Sequence, residues 1–146
     1  LSDHGIFCGM STSRTFETRQ GASVSTLAAA QHDLGMIRLP SDYLDFMRQS
    51  NGGSGFIDDC FLQLWRIEDV KRLSDGYQEG EMERPWLFFG SNGGGEGFAF
   101  DLRGGAMAIF EVPFVTLDPA DALFCAPSFT EFMRRPTGFP AEDNPP

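Results

Sequence analysis

Carboxylates are the side chains through which this chain could most readily do chemistry. The sequence contains 21 Asp and Glu against 11 Lys and Arg, which gives a formal net charge of −10. Acid–base catalysis needs two such groups whose environments push their pKa values apart. Some of the acids have a local structural role instead, since Glu68 and Asp69 suit the positive end of a helix and Asp118 and Asp121 flank a proline turn. We therefore expect these four acids to be structural.

Two acidic groups lack such a role, namely Asp58-Asp59 and the trio Glu79, Glu81 and Glu83. Each is either solvated loop charge or part of a surface that binds a partner protein. The net negative charge repels phosphate backbones and anionic lipid surfaces, so we expect neither nucleic acid nor membrane as a partner. The sequence leaves both interpretations of the two groups open.

The glycine-rich segment 90–97 has two glycines at the spacing of a nucleotide-binding phosphate loop. Such a loop needs a lysine to contact the phosphates and a serine or threonine to hold magnesium. This chain has Glu96 and Gly97 at those positions, and a carboxylate beside a phosphate is repulsive. The segment instead has the composition of a hairpin turn between two strands.

Histidines and cysteines do not form a recognisable catalytic or metal motif. His4 and His32 are the only histidines, and only His4 has a potential ligand at helical spacing, Cys8. The cysteines show no Cys-x-x-Cys spacing, which favours a reducing, cytoplasmic location, and Cys60 and Cys125 are expected to be small buried side chains. We expect no metal, no cofactor and no nucleophile with a positioned base, so the protein is predicted not to be an enzyme.

Length and composition are those of one folded domain. A chain of 146 residues with 41% hydrophobic residues and 15 Phe predicts a phenylalanine-rich core. No apolar run has the length of a membrane-spanning helix, and no basic-then-apolar leader is visible. We divide the chain into a loose N-terminal arm at 1–22, a domain at 23–135 and a Pro-rich acidic tail at 136–146.

Helical periodicity predicts two helices at the start of the domain. In the first, Val24, Leu27, Ala28 and Leu34 share one face, and the helix ends at Gly35. The second runs over residues 40–50 and is expected to end in a left-handed cap at the Asn-Gly pair that follows. Its apolar stripe consists of Leu39, Tyr43, Phe46 and Met47.

The rest of the domain predicts an antiparallel sheet with further helices. Strands are expected over residues 61–65, 86–89, 97–102 and 106–112, and the last three are joined by turns short enough for hairpins. A third helix is predicted from Ile67 to Tyr77, and Ser128 with Glu131 forms a capping box that begins a fourth. The predicted fold is a single α+β domain, a mainly antiparallel curved sheet with helices on one side and at its ends.

The order of these motifs resembles the SUKH superfamily over residues 25–133. Leu39-Pro40, an aromatic stripe and Asn51-Gly52-Gly53 come first, then a strand and helix, and then a glycine hairpin followed by Asp101. The matching scaffold positions are Leu39, Pro40, Tyr43, Phe46, Asn51, Gly52, Gly53, Gly90, Gly93, Gly94, Phe98, Asp101, Ser128, Phe129 and Phe132. The resemblance transfers no catalytic residue, because the family motif contains none.

The resemblance implies a binding function. SUKH proteins include bacterial immunity proteins, which neutralise secreted polymorphic toxins, among them nucleases, and fungal Smi/Knr-type cell-wall regulators. The expected partner is therefore a cognate toxin domain, with Asp58, Asp59, Glu79, Glu81 and Glu83 contributing to the contact surface. An intracellular regulatory or scaffolding module is the alternative, and the sequence leaves open whether the protein is a monomer or a weak dimer.

Overall fold

The computed structural model describes residues 15–136, while residues 1–14 and 137–146 lie outside the described part. In it, seven antiparallel strands form one sheet in which spatial order follows chain order. The strands are β1 Glu17–Thr18, β2 Gly53–Ile57, β3 Cys60–Leu64, β4 Trp86–Ser91, β5 Glu96–Asp101, β6 Ile109–Pro113 and β7 Leu123–Ala126. The helices are α1 Val24–Asp33, α2 Ser41–Gln49, α3 Ile67–Tyr77 and α4 Phe129–Arg134, with a short 3₁₀ helix at Pro119–Asp121. The α+β class and the antiparallel meander are therefore confirmed.

Aromatic side chains from α2, α4 and the central strands form the core. The ring of Tyr43 in α2 lies 5.1 Å from Phe129 and 5.3 Å from Phe100, and Phe89 lies 4.6 Å from Phe100, measured between ring centroids. Phe132 of α4 packs edge-on against Phe89 at 5.6 Å. Buried aromatic pairs of this geometry stabilise a core beyond the area that they bury. The predicted phenylalanine-rich core is confirmed, with Phe46 of the predicted stripe only partly buried.

Helix α3 covers the part of β4 that has no neighbouring strand. The Phe88 N–H donates to Ser74 Oγ at 2.9 Å, and Gln78 Nε2 donates to the Trp86 carbonyl at 3.0 Å. Both polar side chains are only 2% exposed. An exposed strand edge would leave backbone groups without partners, so the two side chains replace the missing strand.

The predicted loose arm needs correction over residues 15–22. Glu17 and Thr18 pair with β2, the Thr15 N–H donates to the Phe56 carbonyl, and the Ala22 N–H donates to the Met47 carbonyl. These hydrogen bonds attach the segment to the sheet and to α2. The rest of the predicted arm and nearly all of the predicted tail lie outside the described residues, and Pro136, which begins that tail, is buried.

The first helix forms as predicted, but its apolar face is placed wrongly. Val24 is 74% exposed, Ala28 is also exposed, and α1 contains no fully buried residue. Ser23 begins the helix by accepting a hydrogen bond from the Thr26 N–H, and Gly35 follows its end with φ +64°. Strands β2 and β7 were not predicted, because neither shows a run of alternating apolar residues.

The Asn-Gly motif after α2 works differently from the predicted left-handed cap. Ser50, the residue after α2, is extended, and of the Asn51-Gly52 pair only Gly52, with φ +85°, adopts positive φ. The side chain of Asn51 instead accepts from the Ile67 N–H at 2.8 Å and donates to Glu68 Oε1 at 2.7 Å. Asn51 therefore caps the start of α3, where the N-cap residue Arg66 makes no side-chain cap bond.

The second glycine motif forms the predicted hairpin. Strands β4 and β5 pair in antiparallel register on either side of it, and Gly93 and Gly95 have positive φ. Asn92 Oδ1 accepts from the Gly94 N–H at 2.8 Å, which closes the turn. Of the predicted capping box, the serine half forms, since Ser128 Oγ accepts from the Glu131 N–H, while the Glu131 carboxylate pairs with Arg134.

Candidate partner-binding surface

Most of the apolar residues that carry the resemblance are buried. Tyr43, Phe98 and Phe132 are completely buried, and Leu39 and Phe129 nearly so. Three of the motif glycines, Gly52, Gly53 and Gly90, permit close backbone approach. A Cβ at Gly90 would lie 2.5 Å from the Gln63 carbonyl oxygen, and one at Gly53 would lie 2.5 Å from the Glu17 carbonyl oxygen. These residue types are explained by packing, so the candidate surface must be found elsewhere.

Asp101 holds an arginine in place at the end of β5. Its two carboxylate oxygens accept from Arg103 Nε at 2.9 Å and Arg103 Nη2 at 3.0 Å. The guanidinium carbon lies 5.3 Å from the centroid of the Trp86 ring. A bidentate pair stacked on an aromatic face fixes the arginine and neutralises its charge locally.

Asp58 and Asp59 occupy the turn between β2 and β3. Both are exposed, and Asp58 adopts φ +55°. They line a cavity of about 510 Å³ together with Asn92 of the glycine hairpin and Arg135 after α4. The cavity thus combines carboxylates with a guanidinium group, and it has mixed charge.

Glu79, Glu81 and Glu83 lie in the connection between α3 and β4. All three are exposed, and within residues 15–136 their carboxylates form no ion pair. Glu81 and Glu83 line a groove of about 790 Å³ with part of the connection between β6 and β7. This trio is the larger of the two acidic groups and has no structural use for its charge.

The structure does not bring the two acidic groups together. The cavity beside Asp58 and Asp59 and the groove beside Glu81 and Glu83 share no lining residue. Over the described part of the chain, no three His, Cys, Asp or Glu side chains cluster as metal ligands would. His32 is exposed on α1. None of the helices in residues 15–136 has the length and apolar character needed to cross a membrane.

The two cysteines of the described domain are thiols of low acidity. Burial raises the pKa of Cys60 to about 11, and the nearby Glu111 carboxylate adds to the increase. Burial also raises the pKa of Cys125, again with a contribution from Glu111. Cys60 Sγ donates to the Pro136 carbonyl. Because a reactive cysteine needs a lowered pKa, this environment gives neither thiol the character of a nucleophile.

Exposed apolar residues beside the trio went unnoticed in the sequence. Met82 is 98% exposed and lies between Glu81 and Glu83, and Val115 is 92% exposed and precedes the groove residue Thr116. A lone methionine among glutamates carries no periodic signal, so the sequence does not single out Met82 or Val115 as exposed apolar residues.

The chain matches the sequence model of a known protein family. The sequence model of the SMI1 / KNR4 family (SUKH-1) matches residues 21–135. No curated protein matches the chain. The matched residues include strands β2 to β7 and helices α1 to α4.

Proposed function

The chain belongs to the SMI1 / KNR4 family (SUKH-1), and on that premise we propose that it is a non-catalytic immunity protein. In this proposal it binds a cognate secreted toxin directly, inside the cell that makes both, and so neutralises it. The toxin is a protein with a basic working face, such as a nuclease. Family membership is compatible with this role, and the identity of the partner is part of the proposal.

The observation that carries the proposal is the trio of exposed glutamates. Glu79, Glu81 and Glu83 present charge that no cation of residues 15–136 compensates by an ion pair. A nuclease needs a positive face to hold its substrate, and a protein of net charge −10 is attracted to that face. Charges at the rim of an interface act mainly on the association rate and on its salt dependence.

Two other features support binding over catalysis. The buried family positions are explained by packing and backbone approach, which leaves the partner contact to exposed loops. The thiols of Cys60 and Cys125 are kept protonated by burial, and a nucleophilic role requires the opposite shift of the pKa. An intracellular regulatory or scaffolding module is the alternative function, and it would use the same exposed surface for a different partner.

Co-expression with the toxin domain encoded beside this gene tests the proposal. We expect the wild-type chain to protect the cell and to copurify with that domain. The triple variant Glu79→Lys, Glu81→Lys and Glu83→Lys is expected to associate about tenfold more slowly at low salt while remaining folded. Absence of both protection and complex formation would refute the immunity function.

A matched triple reversal separates the effect of location from that of net charge. Glu17→Lys, Asp33→Lys and Asp45→Lys change the charge equally at exposed positions outside the trio. Among residues 15–136, the ion pair that these changes remove is the exposed Asp45–Arg48 pair, which contributes little to stability. If both triple variants slow association equally, net charge alone steers the complex and the trio has no special role.

A further inference from the structure

Helix α1 has an exposed side that the rest of the domain does not cover. The side that faces the core carries Leu27, Ala30 and Leu34, and all three are only partly buried. The opposite side, which we call the α1 face, is exposed and consists of Val24, Ser25, Ala28, Ala29 and His32. Val24 is 74% exposed although its apolar spacing with Leu27 is that of a buried stripe. Half of the apolar surface of α1 therefore has no contact within the domain.

The absence of charge on α1 is unusual for this chain. Residues 20–32 contain no Asp, Glu, Lys or Arg, and no other uncharged run of the sequence is as long. The next longest, residues 85–95, contains strand β4, which is buried throughout. Charged residues are depleted where a protein surface becomes buried against another protein. In a protein of net charge −10, the α1 face therefore has the composition of a covered surface.

The two ends of α1 carry opposite charges. At the N-terminal end, Arg19 and Arg66 line a cavity together with the N-cap residue Ser23 and with Glu68, so two guanidinium groups stand against one carboxylate. At the C-terminal end, Asp33 is exposed. Each charge has the same sign as the adjacent end of the helix dipole, whereas a helix by itself is stabilised by the reverse order. The helix is thus positive at one end, uncharged along its face and negative at the other end.

The domain does not neutralise these end charges by pairing. In the described part of the chain, neither Arg19 nor Asp33 forms an ion pair. Asp33 lines a cavity with Lys71, but the Lys71 ammonium is paired at 2.8 Å with an aspartate of its own helix. Glu68 accepts a hydrogen bond from Asn51 at 2.7 Å. Arg19 and Asp33 can therefore both pair with charges of another molecule.

A helix with this order of charges is complementary to a second copy of itself that runs antiparallel. A two-fold axis near the middle of α1 places Asp33 of each copy beside Arg19 and the N-terminal end of α1 in the other copy. Each favourable contact is then made twice. A parallel arrangement would bring like charges together, and the acidic surface elsewhere on the domain repels a second copy. The charges thus favour one partner and one orientation.

The size of α1 limits the strength of such a contact. Ala28 and Ala29 lie near the middle of the helix, and helices with small contact side chains approach at the short end of the roughly 8–10 Å range of interaxial distances. Ten residues of helix are only about 15 Å long. We therefore expect a small interface with a dissociation constant on the order of 10–100 µM.

We propose that the protein forms a weak symmetric homodimer in which α1 packs antiparallel against α1 of a second copy. Asp33 of each copy pairs with Arg19 of the other, and the contact covers Val24 and Ala28. This inference goes beyond the proposed function and does not depend on it, because the toxin contact is assigned to the glutamate trio after α3.

Analytical ultracentrifugation of the wild-type chain between about 1 and 500 µM tests the dimer. We expect the weight-average mass to rise from that of a monomer towards that of a dimer. Ala28→Glu places like charges opposite each other near the two-fold axis and should weaken dimerisation at least about tenfold. Gln49→Glu, at an exposed position of α2, adds the same charge and should change it less than about twofold. A monomer at every concentration, or equal effects of the two variants, would overturn the proposal.

Mixing two charge variants tests the antiparallel orientation. Asp33→Lys and Arg19→Glu should each weaken self-association at least about fivefold, because each creates two like-charge pairs in its own dimer. In a mixed dimer both pairs again join opposite charges, so an equimolar mixture should dimerise as tightly as the wild type. Asp33→Lys also lowers the net negative charge, which favours association, so its weakening must come from the local contact. A mixture that dimerises no better than either variant would show that the orientation is wrong.

Co-expression with the neighbouring toxin domain distinguishes this inference from the proposed function. A wild-type chain that dimerises through α1 but gives no protection would refute the immunity function and leave the dimer in place. Protection by a chain that stays monomeric at every concentration would do the reverse. Association with the toxin is measured at nanomolar concentration, where the chain is monomeric, so the charge-reversal comparison proposed above is unaffected by dimerisation.

Discussion

Replacing Asn51 with alanine would test how the Asn-Gly motif of this fold works. Asn51 is 8% exposed and bonds through its side chain to Ile67 N–H at 2.8 Å and to Glu68 Oε1 at 2.7 Å. Both partners lie in the first turn of α3, whose own N-cap residue provides no side-chain acceptor. The motif that follows α2 therefore stabilises α3, and loss of the side chain should be felt there.

The expected loss of stability is about 2–3 kcal/mol. Removal of an N-cap side chain costs about 1 kcal/mol. The Ile67 N–H belongs to a residue that is only 2% exposed, and a buried donor left without an acceptor costs about 1–3 kcal/mol. The two costs are not additive, because both describe the loss of the same hydrogen bond from the Ile67 N–H to Asn51. Loss of the hydrogen bond from Asn51 to the Glu68 carboxylate is a separate cost and adds to it. For a domain of this size the melting temperature should fall by roughly 10 °C.

Urea denaturation followed by tryptophan fluorescence and circular dichroism measures the effect. Glu68→Gln is the matched control, because it retains an oxygen acceptor for Asn51 Nδ2 and should cost less than about 1 kcal/mol. The double variant Asn51→Ala, Glu68→Gln should be less stable than Asn51→Ala by no more than about 1 kcal/mol, since the shared bond is already lost and only the favourable charge of Glu68 at the helix start remains to be removed. A cost below about 0.5 kcal/mol for Asn51→Ala would refute the capping role.

Three further expectations concern the scaffold. Gly52→Ala should cost at least about 2 kcal/mol, because Gly52 has φ +85° and a Cβ there would lie 2.6 Å from the Leu64 carbonyl oxygen. Gly35→Ala, at φ +64° with nothing within 4 Å of the new Cβ, is the control and should cost about 1 kcal/mol in the same denaturation assay. Tyr43→Phe should cost less than about 1 kcal/mol or stabilise, because the buried hydroxyl finds no partner among the described residues, and a larger loss on chemical denaturation would contradict this account. With its pKa raised from 9.0 to about 11, Cys60 should react slowly with iodoacetamide at neutral pH in the native protein and faster after unfolding, and the stability that its protonated form contributes should decline as pH rises from 9 through 11.

The helices and the central meander were predictable because each has a strong local pattern. The i, i+4, i+8 series of Leu39, Tyr43 and Met47 indicates the buried face of α2 without reference to the rest of the chain. Helix α3 and strands β4 to β6 likewise carry their own periodicity and turns. Their ends coincide between sequence and structure or shift by at most three residues, as helix and strand ends commonly do.

Strand β2 was missed because its glycines have a tertiary cause. Gly53 and Gly55, with φ +148° and +146°, look like loop residues in the sequence. A Cβ at Gly55 would lie 2.5 Å from the Thr15 carbonyl oxygen, and one at Gly53 would lie 2.5 Å from the Glu17 carbonyl oxygen. The glycines are there because β1 approaches so closely, and that approach involves residues more than 30 positions away. No local pattern can report it.

For the candidate surface, the sequence could predict the acidic character but not the shape. The sequence places Glu79, Glu81 and Glu83 in a loop where no cap or turn needs their charge, which predicts that they are exposed. The structure shows all three exposed. The groove required knowledge that the connection before β4 lies beside the connection after β6. Sequence separation hides that neighbourhood.

The two acidic groups differ in what a mutation can establish about them. Asp58 adopts positive φ and lines a cavity with Asn92, whose amide bonds to Glu96 and Glu111. A substitution at Asp58 therefore changes local backbone preference as well as charge, and a loss of binding there would have two explanations. Glu81 and Glu83 form no side-chain hydrogen bond or ion pair within residues 15–136, so their neutralisation should leave stability unchanged to within about 0.5 kcal/mol. A loss of binding without a loss of stability can then be assigned to the partner contact, which makes these two glutamates the residues at which the proposed binding function is best tested.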